Sequence, residues 1–240
     1  MAKLLHFEFH KLIRQKSFYI CLAVAVAMLV VSTCTTYLIN KDVMDTAEMG
    51  IDAMNVMIGS ASGGVLSMVI GVFIPLFACE DYVSGTIRNI VTRGYSRLGI
   101  FSAKLIAVTL ATAVMTIACM AAGYLIGLIF SGSGVEPFDA ATVKILLCQL
   151  AVMLAEGALF YAISTVLQKT GGSIAVCLVL PMVLTIVLTL ADTALAEKDI
   201  SLSAYWLERI SGTLSSFDVK SADMKKALLT ALGYFVVTSA

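Results

Sequence analysis

Only a few side chains in this 240-residue chain could do chemistry, and their spacing narrows what that chemistry is. Glu156 stands alone in Ile145 to Leu167, a run otherwise free of charge. An ionised carboxylate at the centre of a bilayer costs at least about 2.5 kcal/mol, so Glu156 should face a bundle interior or a wet cavity, protonated or hydrogen-bonded to Ser or Thr. Two roles fit it: a pathway or proton-relay residue, and a structural helix-to-helix hydrogen bond. His6 and His10 have the i, i+4 spacing of a metal pair, with Glu8 nearby. Two histidines without a third ligand make an incomplete site, and the polar face of an interfacial helix explains them equally well; no metal site is predicted. Cys21, Cys34, Cys79, Cys119, Cys148 and Cys177 all fall in apolar stretches and form no CxxC pair, which marks them as small packing residues. Val31-Ser32-Thr33-Cys34 has a lipoprotein-like outline, but Thr33 is wrong for it.

Parts for catalysis are missing. The chain has no HExxH, no GxSxG and no aspartate pair inside an apolar run. It also lacks GxxxxGK[ST]; Lys169-Thr170-Gly171-Gly172 has the wrong order and follows a helix, with no strand before it. The expectation is a protein that is not an enzyme and carries no cofactor. Any ATP-driven work would need a second polypeptide.

The elements that must position these residues are membrane helices. The chain is 60% hydrophobic and 13% charged, with a mean hydropathy of +0.97. A soluble domain of this length carries about 25% charged residues on its solvated surface. Crossing the hydrocarbon takes roughly 20 apolar residues, and such runs predict spans at 17–39, 63–79, 105–130, 145–167 and 173–191. Pro181 inside the fifth is tolerable where neighbours satisfy the freed carbonyl. A sixth run, 227–240, offers fourteen residues, about 21 Å of helix, and reads as a span cut short or a re-entrant segment. The predicted fold is therefore an all-α polytopic bundle, one transmembrane domain over 1–240, with six transmembrane helices of which the last looks truncated.

Charge gives the orientation. With the N-terminus inside, segments 1–16, 80–104 and 168–172 hold nine cations against Glu8, Glu80 and Asp81, a net of +6. The other side holds seven cations and twelve acids, a net of −5, and Glu156 closes the sum at the formal charge of zero. Lys and Arg are retained on the cytoplasmic side, so the N-terminus is predicted to be cytoplasmic. Lys225 and Lys226 run against this, but they follow a long loop, where the rule is weak. The overall neutrality leaves no broad basic field for nucleic acid.

Residues 1–16 read as an amphipathic helix on the inner leaflet, with Lys3, His6, His10 and Arg14 on one face and Leu5, Phe9 and Leu12 well round from it. In the stretch Phe77 to Lys104, Ser84 or Thr86 can N-cap a short helix, Gly94 suits its C′ position, and Ser96 can cap the next span. Ile87, Ile90 and Val91 make its apolar stripe, with Arg88 and Arg93 elsewhere. Such a helix between two spans suits a lever for a cytoplasmic partner; an ordinary basic loop that retains topology fits the spacing as well. Gly123-x-x-x-Gly127 and Ala103, Ala107, Ala111 give the third span a small-residue ridge without naming its neighbour. Ser201 can cap a short outer helix carrying Leu202, Tyr205, Trp206, Arg209 and Ile210, its aromatics at the headgroup level.

Glu80, four residues, Gly85-Thr86-Ile87-Arg88-Asn89-Ile90, then Arg97 and Lys104 seven residues later, is similar to a segment of the ABC-2 permease family between its second and third spans. The layout also resembles that family along the whole chain, in size most like small bacteriocin-immunity or antibiotic-efflux permeases. The resemblance implies the permease subunit of an ATP-driven exporter in a bacterial cell membrane. It implies docking of the inner loop and N-terminal helix on a separate ABC ATPase subunit, and a pathway between two permease copies. It assigns coupling roles to Glu80, Gly85, Thr86, Arg88, Arg93 and Arg97. A secondary transporter using Glu156 and a non-transporting membrane sensor or scaffold are the other readings; the cargo is not legible.

Overall fold

The computed structural model describes residues 2–43, 53–62, 64–92, 94–131, 140–194, 205–214 and 221–239, and among these the chain forms helices and no strand. Helix α1 (Ala2–Arg14) is joined to α2 (Lys16–Val43) through Gln15 alone. Then come α3 (Ala53–Ala61), α4 (Gly64–Val83), α5 (Thr86–Thr92), α6 (Arg97–Ser131), α7 (Ala140–Leu167) and α8 (Thr170–Ala194). Two more follow, α9 (Leu207–Leu214) and α10 (Ser221–Ser239).

Among the described residues, five stretches are long and apolar enough to cross a membrane: Lys16–Leu38, Ala53–Val83, Arg97–Phe130, Thr142–Leu167 and Thr170–Ala194. Inside hydrocarbon every backbone group needs an internal partner, which is why these runs are helical. Their hydroxyls are absorbed locally. Thr33, Thr35, Thr112 and Thr116 each donate to the carbonyl four residues back, at 2.8–2.9 Å. Helices α4 and α7 form the centre, where Ile70, Phe73, Ile74 and Phe77 meet Val108, Ala111 and Met115 of α6 and Met153, Phe160 and Tyr161 of α7. Helix α8 presents nearly all of its length outward, including Val179, Met182, Ile186 and Leu190.

The second predicted span, 63–79, corresponds to α4, and the apolar stretch Ala53–Val83 adds the shorter α3 before it. Helix α3 ends at Ala61 and α4 begins at Gly64. The glycine ridge of α6 is what α3 packs on: a Cβ at Gly127 would lie 2.6 Å from Ala53 Cα, and one at Gly123 would lie 2.7 Å from Ser60 Oγ. Only glycine admits that approach. The helix of the third span begins at Arg97, ahead of the apolar run at 105, where the predicted Ser96 cap places it: Ser96 Oγ accepts the Gly99 amide at 3.1 Å. Lys104 therefore stands two turns inside the helix.

Helices α7 and α8 are joined by Gln168 and Lys169, Gln168 taking a left-handed φ of 54°. Helix α9 packs Leu207, Ile210 and Leu214 against Val152 and Ala155 of α7 and Ala227 and Ala231 of α10. Trp206 was expected at the headgroup level. Its indole donates to Thr185 Oγ1 at 3.0 Å, nine residues before the end of α8. The predicted cap Ser201 lies outside the described residues, as does Leu202.

Candidate functional site

The basic end of the bundle is organised around one carboxylate. The last turn of α4 carries Glu80 and Asp81, and these neighbours point in different directions: the Asp81 side chain is 4% exposed and that of Glu80 49%. Asp81 is held from both sides. Lys11 Nζ of α1 lies 2.5 Å from its Oδ1, and Lys104 Nζ of α6 donates to its Oδ2. Lys104, itself 3% exposed, also donates to the Ala78 carbonyl at 3.4 Å. Both ammonium groups stand over the Phe77 ring, 5.4 and 5.7 Å from its centroid. Charges this deep persist only when paired, so Asp81 fastens α1 and α6 to α4. Glu80, at the rim, takes Lys11 Nζ at 3.1 Å and the Gln15 amide at 3.2 Å.

Helix α1 buries Leu4, Glu8 and Leu12 and leaves His6, His10 and Arg14 exposed. Glu8 is 1% exposed, and its Oε2 has no hydrogen-bond partner. Burial pushes its carboxyl above the ordinary value, Lys104 opposes that rise, and Asp81 adds to it. For Lys11, burial pulls the ammonium down, but Asp81 and Glu80 outweigh it and hold the group above its usual value. Among the described residues no cluster of three or more His, Cys, Asp or Glu could hold a metal.

Helix α5 is slung between two glycine elbows, Gly85 at φ 71° and Gly94 at φ 85°, a left-handed conformation that side-chain-bearing residues rarely adopt. Ser84 Oγ and Thr86 Oγ1 share a hydrogen bond of 2.8 Å at its start. Ile90 of α5 and Leu4 of α1 converge on Ile100 and Ala103 of α6. Of the six residues singled out for coupling, Glu80, Gly85, Thr86 and Arg97 thus lie along one ring of elements: α4 end, elbow, α5 start and α6 start. Arg88 lies on α5, but its side chain is outside the described residues, and so is the whole of Arg93. The sequence reading passed over Asp81, Lys11 and Glu8 as structural members. The available signal was an acid pair in the last turn of an apolar helix, one turn beyond Phe77.

A second polar place lies mid-bundle. Glu156 of α7, 5% exposed, accepts a hydrogen bond from Ser67 Oγ of α4. Two turns away on α7, Gln149 Nε2 donates to the Ile58 carbonyl of α3 at 3.2 Å and so caps that helix's end. Gly157 lets Thr112 of α6 approach, since a Cβ there would lie 2.7 Å from Thr112 Cγ2. One stretch of α7 thereby grips α3, α4 and α6 with two hydrogen bonds and one close contact.

Against known proteins, the chain matches over residues 4–192 a family model described as ABC-2 family transporter protein. No curated protein matches it.

Proposed function

This chain belongs to the ABC-2 transporter family, and from that premise we propose that it is the permease half of an ATP-driven exporter, moved by a separate ATPase through the 80–104 segment. The family supplies the coarser statement: a multi-pass membrane component of an ABC transporter, of a kind that works with an ABC ATPase subunit. In the proposed arrangement α1 and α5 lie on the cytoplasmic side of a cell membrane, and two permease copies enclose the pathway.

The observation that supports the coupling route is the mounting of α5. It is a short helix between two glycine elbows, tied to the ends of α4 and α6 and sharing an apolar contact with α1 through Leu4, Ile90 and Ile100. The Lys11–Asp81–Lys104 cluster ties α1, α4 and α6 together one turn further in. A push on α5 would therefore re-angle two central helices as a unit. Outward transport is proposed because the family layout most resembles small efflux permeases.

The test is affinity purification of the tagged chain from its native membrane. An ATPase subunit with a Walker motif should co-purify, and replacing 86–92 with a Gly/Ser linker should abolish this while the chain stays folded. A well-folded chain with no ATPase associated would overturn the reading. So would a maleimide reaching a cysteine at Asn89 from outside intact cells.

A further inference from the structure

Several helix ends meet around a partly open cavity of about 460 Å3 at the basic end. Tyr82 comes from the last turn of α4, Arg97 opens α6, Gln168 directly follows α7, and α5 contributes Ile87 and Thr92. The volume is in the range of ligand pockets, about 300–1,000 Å3. Its inner wall is aromatic, with the Phe101 and Tyr161 rings 5.1 Å apart and the Tyr161 hydroxyl already donating to the Phe101 carbonyl at 3.2 Å. Lys104 also lines the cavity, but its ammonium is committed to Asp81 and Ala78. Among the described residues no carboxylate lines it. Arg97 is exposed and makes no ion pair among the described residues. The cavity thus pairs an apolar wall with one uncompensated guanidinium. Tyr82, Thr92, Arg97 and Gln168 stand at or beside helix termini, and the ends of membrane helices are where phospholipid phosphates are met.

We infer that this cavity seats one anionic phospholipid, its phosphate bidentate on Arg97 and the start of its acyl chains against Ile87 and Phe101. The inference goes beyond the transport reading, and its test uses the permease chain alone, with no ATPase present. The full chain is purified, exchanged into an equimolar mixture of phosphatidylglycerol and phosphatidylcholine, and retained lipid is counted by native mass spectrometry. The wild type should retain about one phosphatidylglycerol in preference. Arg97→Gln should reduce that preference roughly fivefold, Arg97→Lys should keep most of it, and Arg14→Gln, on exposed α1, should change it little. Equal losses for Arg97→Gln and Arg14→Gln would mean diffuse surface attraction and overturn the site. Displacement of the lipid by excess inorganic phosphate would identify an ion site instead. Unchanged lipid retention in Arg97→Gln, with ATPase co-purification lost in a separate pull-down, would assign the cavity to the partner protein. Thermal unfolding of each variant separates these outcomes from misfolding.

Discussion

Asp81 and Glu156 are both buried carboxylates on central helices, yet the chain treats them in different ways. Asp81, near a helix end, is clamped by two lysines from two other helices. Glu156, mid-helix, meets one serine hydroxyl and no cation among the described residues. At the end of the bundle a set of charges can be assembled with its outer members, Lys11 and Glu80, still partly exposed. At mid-depth a lysine partner would add its own desolvation cost, so a small hydroxyl is the cheaper companion. The lesson is that one cluster fixes helices by charge and the other by a single hydrogen bond, and their removal should differ several-fold.

The largest effect should come from Asp81→Asn. It leaves buried Lys104 without its counter-charge, a loss of about 3–5 kcal/mol, read as a large fall in thermal midpoint in detergent. Adding Lys104→Met should recover much of that loss, since no unpaired charge then remains. If Asp81→Asn alone is harmless, the comparison breaks. Next comes Gly127→Ala, whose Cβ would meet Ala53 Cα at 2.6 Å; overpacking of this kind costs about 1–3 kcal/mol. Gly233→Ala, with open space around it, should cost nothing in the same melt. Smaller again, Ser67→Ala should cost about 0.6 kcal/mol, and Glu156→Gln less, because the amide still accepts from Ser67. Collapse of ATP-dependent transport in a well-folded Glu156→Gln would instead give that residue a place in the pathway.

The smallest effect is a slope. Docking of α1 raises the Glu8 carboxyl above its ordinary 4.5, so the docked state binds more protons. Stability from this group is complete below 4.5 and is lost as pH rises through the docked value. Glu8→Gln should flatten that part of the melting-temperature profile and leave the acid side unchanged.

The bundle was legible in the sequence because hydrocarbon allows little else: long uncharged runs must be helices. Element ends were less legible. For α6 the apolar run alone marks a start at 105, while the Ser96 cap, a local signal readable in the sequence, sets it at Arg97; the partner of Lys104 lies 23 residues back and is not local. The start of α4 agrees with the predicted span at 63, but the packing of α3 on the glycine ridge of α6 is a choice that no local period reveals. Adjacent acids Glu80 and Asp81 look alike in sequence, and only packing against Phe77 and Lys104 decides which turns inward. On α1 the polar face of His6, His10 and Arg14 was readable from the helical period, but two further polar residues were not. Its polar Glu8 and Lys11 point into the protein because partners arrive from distant helices. The glycine elbows and short helix at 85–94 were readable, since left-handed backbone and capping are local matters.

The Lys11–Asp81 pair spans 70 residues of chain and the Asp81–Lys104 pair another 23. A ribosome adds about 5–20 residues per second, so several seconds pass between the birth of the first cation and that of its anion. During that interval Lys11 has no counter-ion from this cluster and retains its full pull on the orientation of the first helix. Closure of the cluster comes only after α2 and α4 have been made and α6 begun, which makes it a late seal on this part of membrane assembly rather than a nucleus for it.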